Sequence, residues 1–164
     1  MASIIEISGR FDNNLVTRVK RSLQSVSKSE KEIIFQIKSY GGNLEAFRKL
    51  SGFIYFFSKY RKTKIIGELI YGESAALLLF LNCEERRVMP GSIGSIHLPV
   101  PNKHKTESEI LEQQKEVARF IRRRTGLIER KIYELQHQSL GLCELLKYNI
   151  ATKKSNFFLI PSAA

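Results

Sequence analysis

The sequence holds a single aspartate, Asp12, and every other acid is a glutamate. Any mechanism that needs two or three aspartates is therefore excluded. Only two cysteines occur, Cys83 and Cys143, with no C-x-x-C pair, and the chain opens without a basic-then-apolar leader, so a reducing, cytoplasmic setting is expected. Its three histidines, His97, His104 and His137, show no H-x-x-x-H spacing and no neighbouring cysteine. Neither a metal nor a cofactor is expected. Apolar runs fall well short of the ~20 residues that a membrane-spanning helix needs, so no membrane partner is expected.

What is present suits one soluble domain covering 1–164: 18.9 kDa, 43% hydrophobic and 26% charged residues. Lys plus Arg number 27 against 16 Asp plus Glu, a net charge of +11. Such an excess raises nucleic acid as a partner. A single-strand site interleaves exposed aromatics with its cations, however, whereas Phe53, Tyr55, Phe56 and Phe57 crowd one helix and read as core or interface. The basic stretch 59–64 and the arginines 119 and 122–124 read as solvated faces or subunit contacts, so no nucleic-acid partner is favoured.

Periodicity gives alternating strands and helices. A β-branched run at 4–8 precedes a helix capped by Asp12 or Asn13, with Leu15, Val16, Val19, Leu23 and Val26 on one face. A second strand at 33–38 closes on Tyr40-Gly41-Gly42 and leads into a helix whose buried face is Leu44, Phe47, Leu50, Ile54 and Phe57. A third strand at 64–70 turns into an almost wholly apolar helix at 74–81. Short strands are expected at 87–89 and 92–97, around Pro90-Gly91. Thr106-Glu107-Ser108-Glu109 has the capping-box form and opens a long helix that ends at Thr125-Gly126. Further helices at 127–137 and 141–149 and a last strand at 157–160 complete an α/β chain of parallel βαβ units.

Sites in open parallel sheets gather at the carboxyl ends of strands. Three features fall there. Gly41-Gly42 leaves backbone N–H groups able to face an anionic oxygen, although a plain tight turn has the same sequence. Ser74 begins a buried helix in Gly72-Glu73-Ser74-Ala75-Ala76, close to a nucleophile elbow but with Ala76 where that motif has Gly; an N-cap serine is the simpler reading. His97 ends a strand. Their order supplies what acyl transfer needs: an oxyanion hole, a nucleophile and a base.

In that order the chain resembles the proteolytic subunit of Clp protease, in the ClpP/crotonase superfamily. Residues 33–42, ending Ser39-Tyr40-Gly41-Gly42, are similar to the family's strand and Ser-Pro-Gly-Gly. Ser74-Ala75-Ala76 is similar to its Ser-Met-Gly/Ala helix, and Arg87-Val88-Met89-Pro90-Gly91-Ser92 and Ile96-His97-Leu98-Pro99 to its Arg-x-x-Leu-Pro-Asn-Ser and Ile-His-Gln-Pro segments. Thr125-Gly126 and Glu144-Leu145-Leu146-Lys147-Tyr148 continue the match. The resemblance implies a ClpP/crotonase-like fold with a core at about 1–104, a protruding handle-helix region at about 105–137 and a C-terminal helix and strand at about 138–164.

It also implies a serine endopeptidase working in ATP-dependent proteolysis on peptide or unfolded-protein substrate inside a homo-oligomeric ring or two stacked rings. Ser74 would be its nucleophile, His97 its base, and the Gly42 and Ala75 N–H groups its oxyanion hole. The family's third triad member is an aspartate soon after Thr-Gly, and this chain has none there. Aligning forward from Thr125-Gly126 puts that position at Ser139, and aligning backward from Tyr148 puts it at His137. Glu134 and Glu144 are the nearest acids, with Glu134 the candidate substitute. The chain begins almost at its first strand, so an AAA+ unfoldase would have to dock without the family's axial loop and first helix. Two alternatives stand beside the peptidase: a weakened or non-catalytic ring subunit with a structural or regulatory role, and a crotonase-type acyl-CoA enzyme, which leaves Ser74 and His97 without a role.

Overall fold

The structure is a computed structural model, and it describes residues 2–101 and 105–155. Five strands, β1 (Ser3–Ser8), β2 (Glu32–Ser39), β3 (Lys64–Glu73), β4 (Glu85–Ser95) and β5 (Lys153–Lys154), form one parallel sheet in sequential order. Between and after them lie α1 (Asn13–Ser25), α2 (Leu44–Arg61), α3 (Ala75–Asn82), α4 (Glu107–Thr125), α5 (Glu129–Glu134) and α6 (Leu142–Lys147). Sequential parallel strands joined by crossovers of one hand collect their helices on one face of the sheet.

That face is apolar. Ile7, Ile33, Phe35, Ile37, Ile65 and Leu69 pack in one cluster with Leu15 and Val19 of α1, Phe47 and Leu50 of α2, and the whole first two turns of α3. The opposite face carries the polar set of each alternation: Glu6 pairs across with Gln36, Gln36 with Glu68, and Glu68 with Arg87. Glu85 sits on that face and accepts hydrogen bonds from Lys64 at 2.8 Å, Arg87 at 2.6 Å and Lys153 at 2.9 Å, tying β3, β4 and β5 together.

Local chemistry starts and stops the helices. Asp12, rather than Asn13, caps α1 by accepting from the Leu15 amide at 2.9 Å. Asn43 caps α2, accepting from Glu45 N at 2.7 Å. The expected capping box opens α4, and Gly126 at φ +81° closes it. Two arginines fasten helix C-termini, whose carbonyls are the negative end of the dipole. Arg124 donates to Leu81 O and Cys83 O at the end of α3, and the buried Arg86 donates to Arg124 O, Asn149 O and Ile150 O. On α4, Val117, Ala118 and Ile121 join the core, and Arg48 of α2 pairs with Glu116.

The α/β class and the strand-helix alternation are as the sequence predicts, and several boundaries differ: α5 and α6 are shorter than the expected 127–137 and 141–149, and the strand expected to reach His97 ends at Ser95. Strand β3 continues to Glu73 because Tyr71, Gly72 and Glu73 pair with Ile93, Gly94 and Ser95. The two short strands expected around Pro90-Gly91 are one strand, β4. Its register jumps there, and the Ser92 hydroxyl closes the excursion by donating to Leu69 O at 2.6 Å and accepting from Met89 N at 2.9 Å. Helix α3 starts at Ala75, leaving Ser74 outside it. The strand expected at 157–160 lies outside the described residues, as does His104; β5 at 153–154 is the described strand that pairs with β4.

Candidate active site

The carboxyl ends of β2, β3 and β4 converge on one point. After β2 the chain turns through Gly41 (φ +84°) and Gly42 (φ +149°), backbone geometry that strongly favours glycine. A Cβ on Gly41 would lie 2.5 Å from Glu73 O, 2.8 Å from Ser74 Cβ and 3.1 Å from Ala75 N, so the bare backbone of this turn is pressed against the end of β3. The turn is held by Ser39, whose hydroxyl donates to Gly9 O at 2.6 Å and accepts from Gly41 N at 3.0 Å.

Ser74 occupies the turn from β3 into α3 with φ +51° and ψ −123°, a conformation that costs a non-glycine residue about 1–3 kcal/mol. It makes no side-chain cap hydrogen bond. This separates the two readings of the sequence, because a capping serine has extended backbone and spends its oxygen on the helix amides. Its backbone is fixed on both sides: Ser74 N donates to Ser95 O at 3.2 Å, and Leu78 N donates to Ser74 O at 3.0 Å. The hydroxyl stands half-buried at the positive end of a helix dipole.

His97 follows β4, two residues beyond Ser95. Ser74, Ala75, Gly42, His97 and His137 line one cavity of about 590 Å³. Ser74 and His97 share that cavity without a hydrogen bond between them: the Nε2 of His97 shares one with the Ser95 hydroxyl, 3.2 Å away. Gly42 N–H has no acceptor among the described residues, and Ala75 N–H belongs to the first turn of α3, where no intrahelical acceptor exists.

Of the residues considered for the third position, one comes to His97. His137 has φ +61°, donates its backbone N–H to Ile96 O at 3.0 Å, and holds its ring 4.8 Å from that of His97, centre to centre. Glu134 is engaged on α5 with Arg130 at 3.3 Å and Lys131 at 3.2 Å. Ser139 is exposed beside Leu140, and Glu144 accepts from Gly141 N at 3.2 Å where α6 begins.

The model of the Clp protease family matches residues 1–139. The chain belongs to the Clp protease family. Among solved structures it is similar to a ClpP1 point mutant from Listeria monocytogenes, with a TM-score of 0.76 and 23% identity over 93% of this chain and 90% of that one, a likeness that shows the shared fold. A comparison with curated proteins gives no match. Membership in the Clp protease family implies a serine peptidase hydrolase, and among the described residues no helix is long and apolar enough to cross a membrane.

Sequence reasoning missed two residues of this site. Ser95, which holds His97, is signalled by its i, i+2 spacing from His97 within the strand the sequence predicts at 92–97. Arg10 reaches the cavity from the turn after β1, and a lone exposed arginine in a chain of +11 carries no signal of its own.

Proposed function

We propose that the chain is a Clp-type serine endopeptidase in which Ser74 is the nucleophile and His97 the general base. The observation that carries this reading is the backbone of Ser74: strained, outside its helix, with its hydroxyl free of any capping role. A nucleophile elbow has this geometry and a helix cap does not. In the reaction, His97 turns from Ser95 to the Ser74 hydroxyl and accepts its proton as Oγ bonds to the peptide carbonyl carbon. Gly42 and Ala75 N–H groups hold the resulting oxyanion. The tetrahedral adduct collapses, the C–N bond breaks, and His97 returns the proton to the leaving amine. Water, deprotonated by His97, then cleaves the acyl-enzyme and restores Ser74.

His137 takes the place of a carboxylate beside His97. An imidazole can fix the orientation of a neighbouring ring but brings no negative charge to the imidazolium, and losing the charged partner elsewhere costs about 10⁴ in kcat. The peptidase is accordingly expected to be slow by itself. The same observation favours the second reading, a ring subunit with a structural or regulatory role. Peptide or unfolded protein is the substrate, taken inside a homo-oligomeric ring or two stacked rings in the cytoplasm, with an AAA+ unfoldase as feeder in ATP-dependent proteolysis.

The test is labelling with a serine-directed fluorophosphonate. Wild type should be labelled and Ser74→Ala should not; equal labelling of both overturns the assignment. Peptide turnover abolished by His97→Ala would reject the structural reading. A purified protein that sediments as an 18.9 kDa monomer would contradict the ring.

A further inference from the structure

Two cavities meet at Gly42. One holds Ser74 and His97; the other, of about 420 Å³, is walled by Tyr40 and Tyr71, whose rings are 4.8 Å apart, and by Lys38. Arg10 lines both, and its Cγ lies 3.1 Å from the place a Cβ on Gly42 would take. Arg10 thus stands directly beside the amide assigned to the oxyanion.

The charge around this point has one sign. Arg10, Lys38 and Lys105 line the two cavities, and among the described residues no aspartate or glutamate does. Glu73 is adjacent to Ser74 in the chain and lines neither cavity. Two of the three cations are not neutralised from elsewhere. The side chains of Arg10 and Lys38 make no ion pair or hydrogen bond among the described residues, whereas Lys105 donates to Gln113 at 2.8 Å and feels the carboxylate of Glu109. Several cations elsewhere are held by carboxylates: Lys64 and Arg87 by Glu85, Arg48 by Glu116, and Lys131 by Glu134. An unpaired guanidinium offers a planar fork that fits a carboxylate bidentately.

We infer that the site selects peptides carrying a carboxylate within one or two residues of the scissile bond, with Arg10 as the group that recognises it and Lys38 reinforcing the field. An extended residue spans at most ~3.6 Å, so a chain whose carbonyl oxygen rests on Gly42 N–H brings its neighbouring side chains past Arg10. The carboxylate is that of an acidic side chain or that of a chain terminus, and both present the same two oxygens. The inference rests on the peptidase reading and deepens it.

The experiment compares end-blocked fluorogenic peptides that differ only in Glu, Gln or Lys next to the cleaved bond, together with a neutral peptide bearing either a free or an amidated C-terminus. Proteins are wild type, Arg10→Gln, and Lys28→Gln, which removes the same charge from the turn after α1 at the far end of the sheet. Wild type should favour Glu over Gln about tenfold in kcat/KM at low ionic strength, with Lys disfavoured and the ratio shrinking as salt is added. The ratio should fall towards one in Arg10→Gln and persist in Lys28→Gln. A preference for the free C-terminus over its amide, without one for Glu over Gln, assigns the recognised group to the chain end. Equal handling of all peptides, with turnover still dependent on Ser74, overturns this inference and leaves the peptidase intact. If no peptide is turned over, the peptidase reading fails, and fluorescence anisotropy of the labelled peptides decides: tighter binding of the Glu peptide, weakened by Arg10→Gln, upholds carboxylate recognition, and equal binding overturns it.

Discussion

His137→Asp puts the missing carboxylate beside His97, and the structure says how much it should matter. The His137 ring centre lies 4.8 Å from that of His97, and an aspartate carboxylate extends about as far from its backbone as an imidazole centre does. At about 5 Å, a negative charge stabilises an imidazolium by about 3 kcal/mol at an effective dielectric of ~20 and by just under ~1 kcal/mol in bulk water. His97 is half-buried and His137 exposed, so the gain in kcat should fall between about fourfold and a few hundredfold. The fold should not resist. His137 is exposed, its φ of +61° is one that Asp adopts more readily than most residues, and its anchoring bond to Ile96 O uses the backbone.

The assay is kcat and KM on a fluorogenic peptide for wild type, His137→Asp and the uncharged His137→Asn, with Ser74→Ala combined with His137→Asp as the blank. Asp should raise kcat and Asn should not. The gain should shrink in high salt, because the pair is partly exposed, and vanish in the double variant. Equal effects of Asp and Asn, with circular dichroism unchanged, would refute the placement of His137 at the third position.

Ser74→Gly should stabilise the protein while removing the nucleophile: relief of a φ +51° residue returns about 1–3 kcal/mol, offset by about 0.5–1 kcal/mol of extra chain entropy in the unfolded state, for a rise in Tm of a few degrees. A fall in Tm would mean that the serine side chain holds the turn together. Glu85, hydrogen-bonded first by Lys64 and then by Lys153 and Arg87, has its carboxyl lowered from the ordinary 4.5 to about 2. Because the folded value is the lower one, its contribution of about 2–3 kcal/mol is present above pH 4.5 and lost as the pH falls towards 2. Urea melts should therefore show wild type losing more stability than Glu85→Gln between pH 5 and pH 2.5; parallel losses would remove Glu85 from the account. Burial pushes the Cys83 thiol up to about 12 while Cys143 is exposed, so Ellman's reagent at pH 8 should find one reactive thiol per native chain and a second only after unfolding.

Much of the fold is legible because burial alone sets the period. The runs at β1, β2 and β3 are buried on the helix face and read as near-continuous apolar segments, and α1, α2 and α4 each show a single stripe. What the sequence hides are features decided by a partner. Strand β3 ends at Glu73 because Ser95 is there to pair with it, and Pro90-Gly91 reads as a break although one serine hydroxyl bridges Met89 and Leu69 across the excursion. The same holds at the site. Gly41-Gly42, Ser74 and His97 are visible because each sits where a strand ends. Whether Ser74 caps its helix or stands out of it is a matter of one φ angle, and nothing in Gly-Glu-Ser-Ala-Ala encodes it without the Gly41 backbone packed against Glu73, Ser74 and Ala75.

At the third position the fold brings one of the two aligned residues to His97 and leaves the other exposed. Aligning from Thr125-Gly126 and from Tyr148 gives answers two residues apart, Ser139 and His137. In the fold, Ile96 bridges to Gln136 and Gly94 to Leu140. The first bridge is parallel and the second antiparallel, so residues 137–139 lie between them outside any continuous ladder. The left-handed turn at His137 sets its ring beside His97, so the residue that meets His97 is the one the backward alignment names, and the two-residue disagreement with the forward alignment reads as a deletion between Thr125-Gly126 and Tyr148. The proposed peptidase then works with two histidines and one serine in a single cavity, and His137→Asp is the variant that tests whether the second histidine stands where a carboxylate would act.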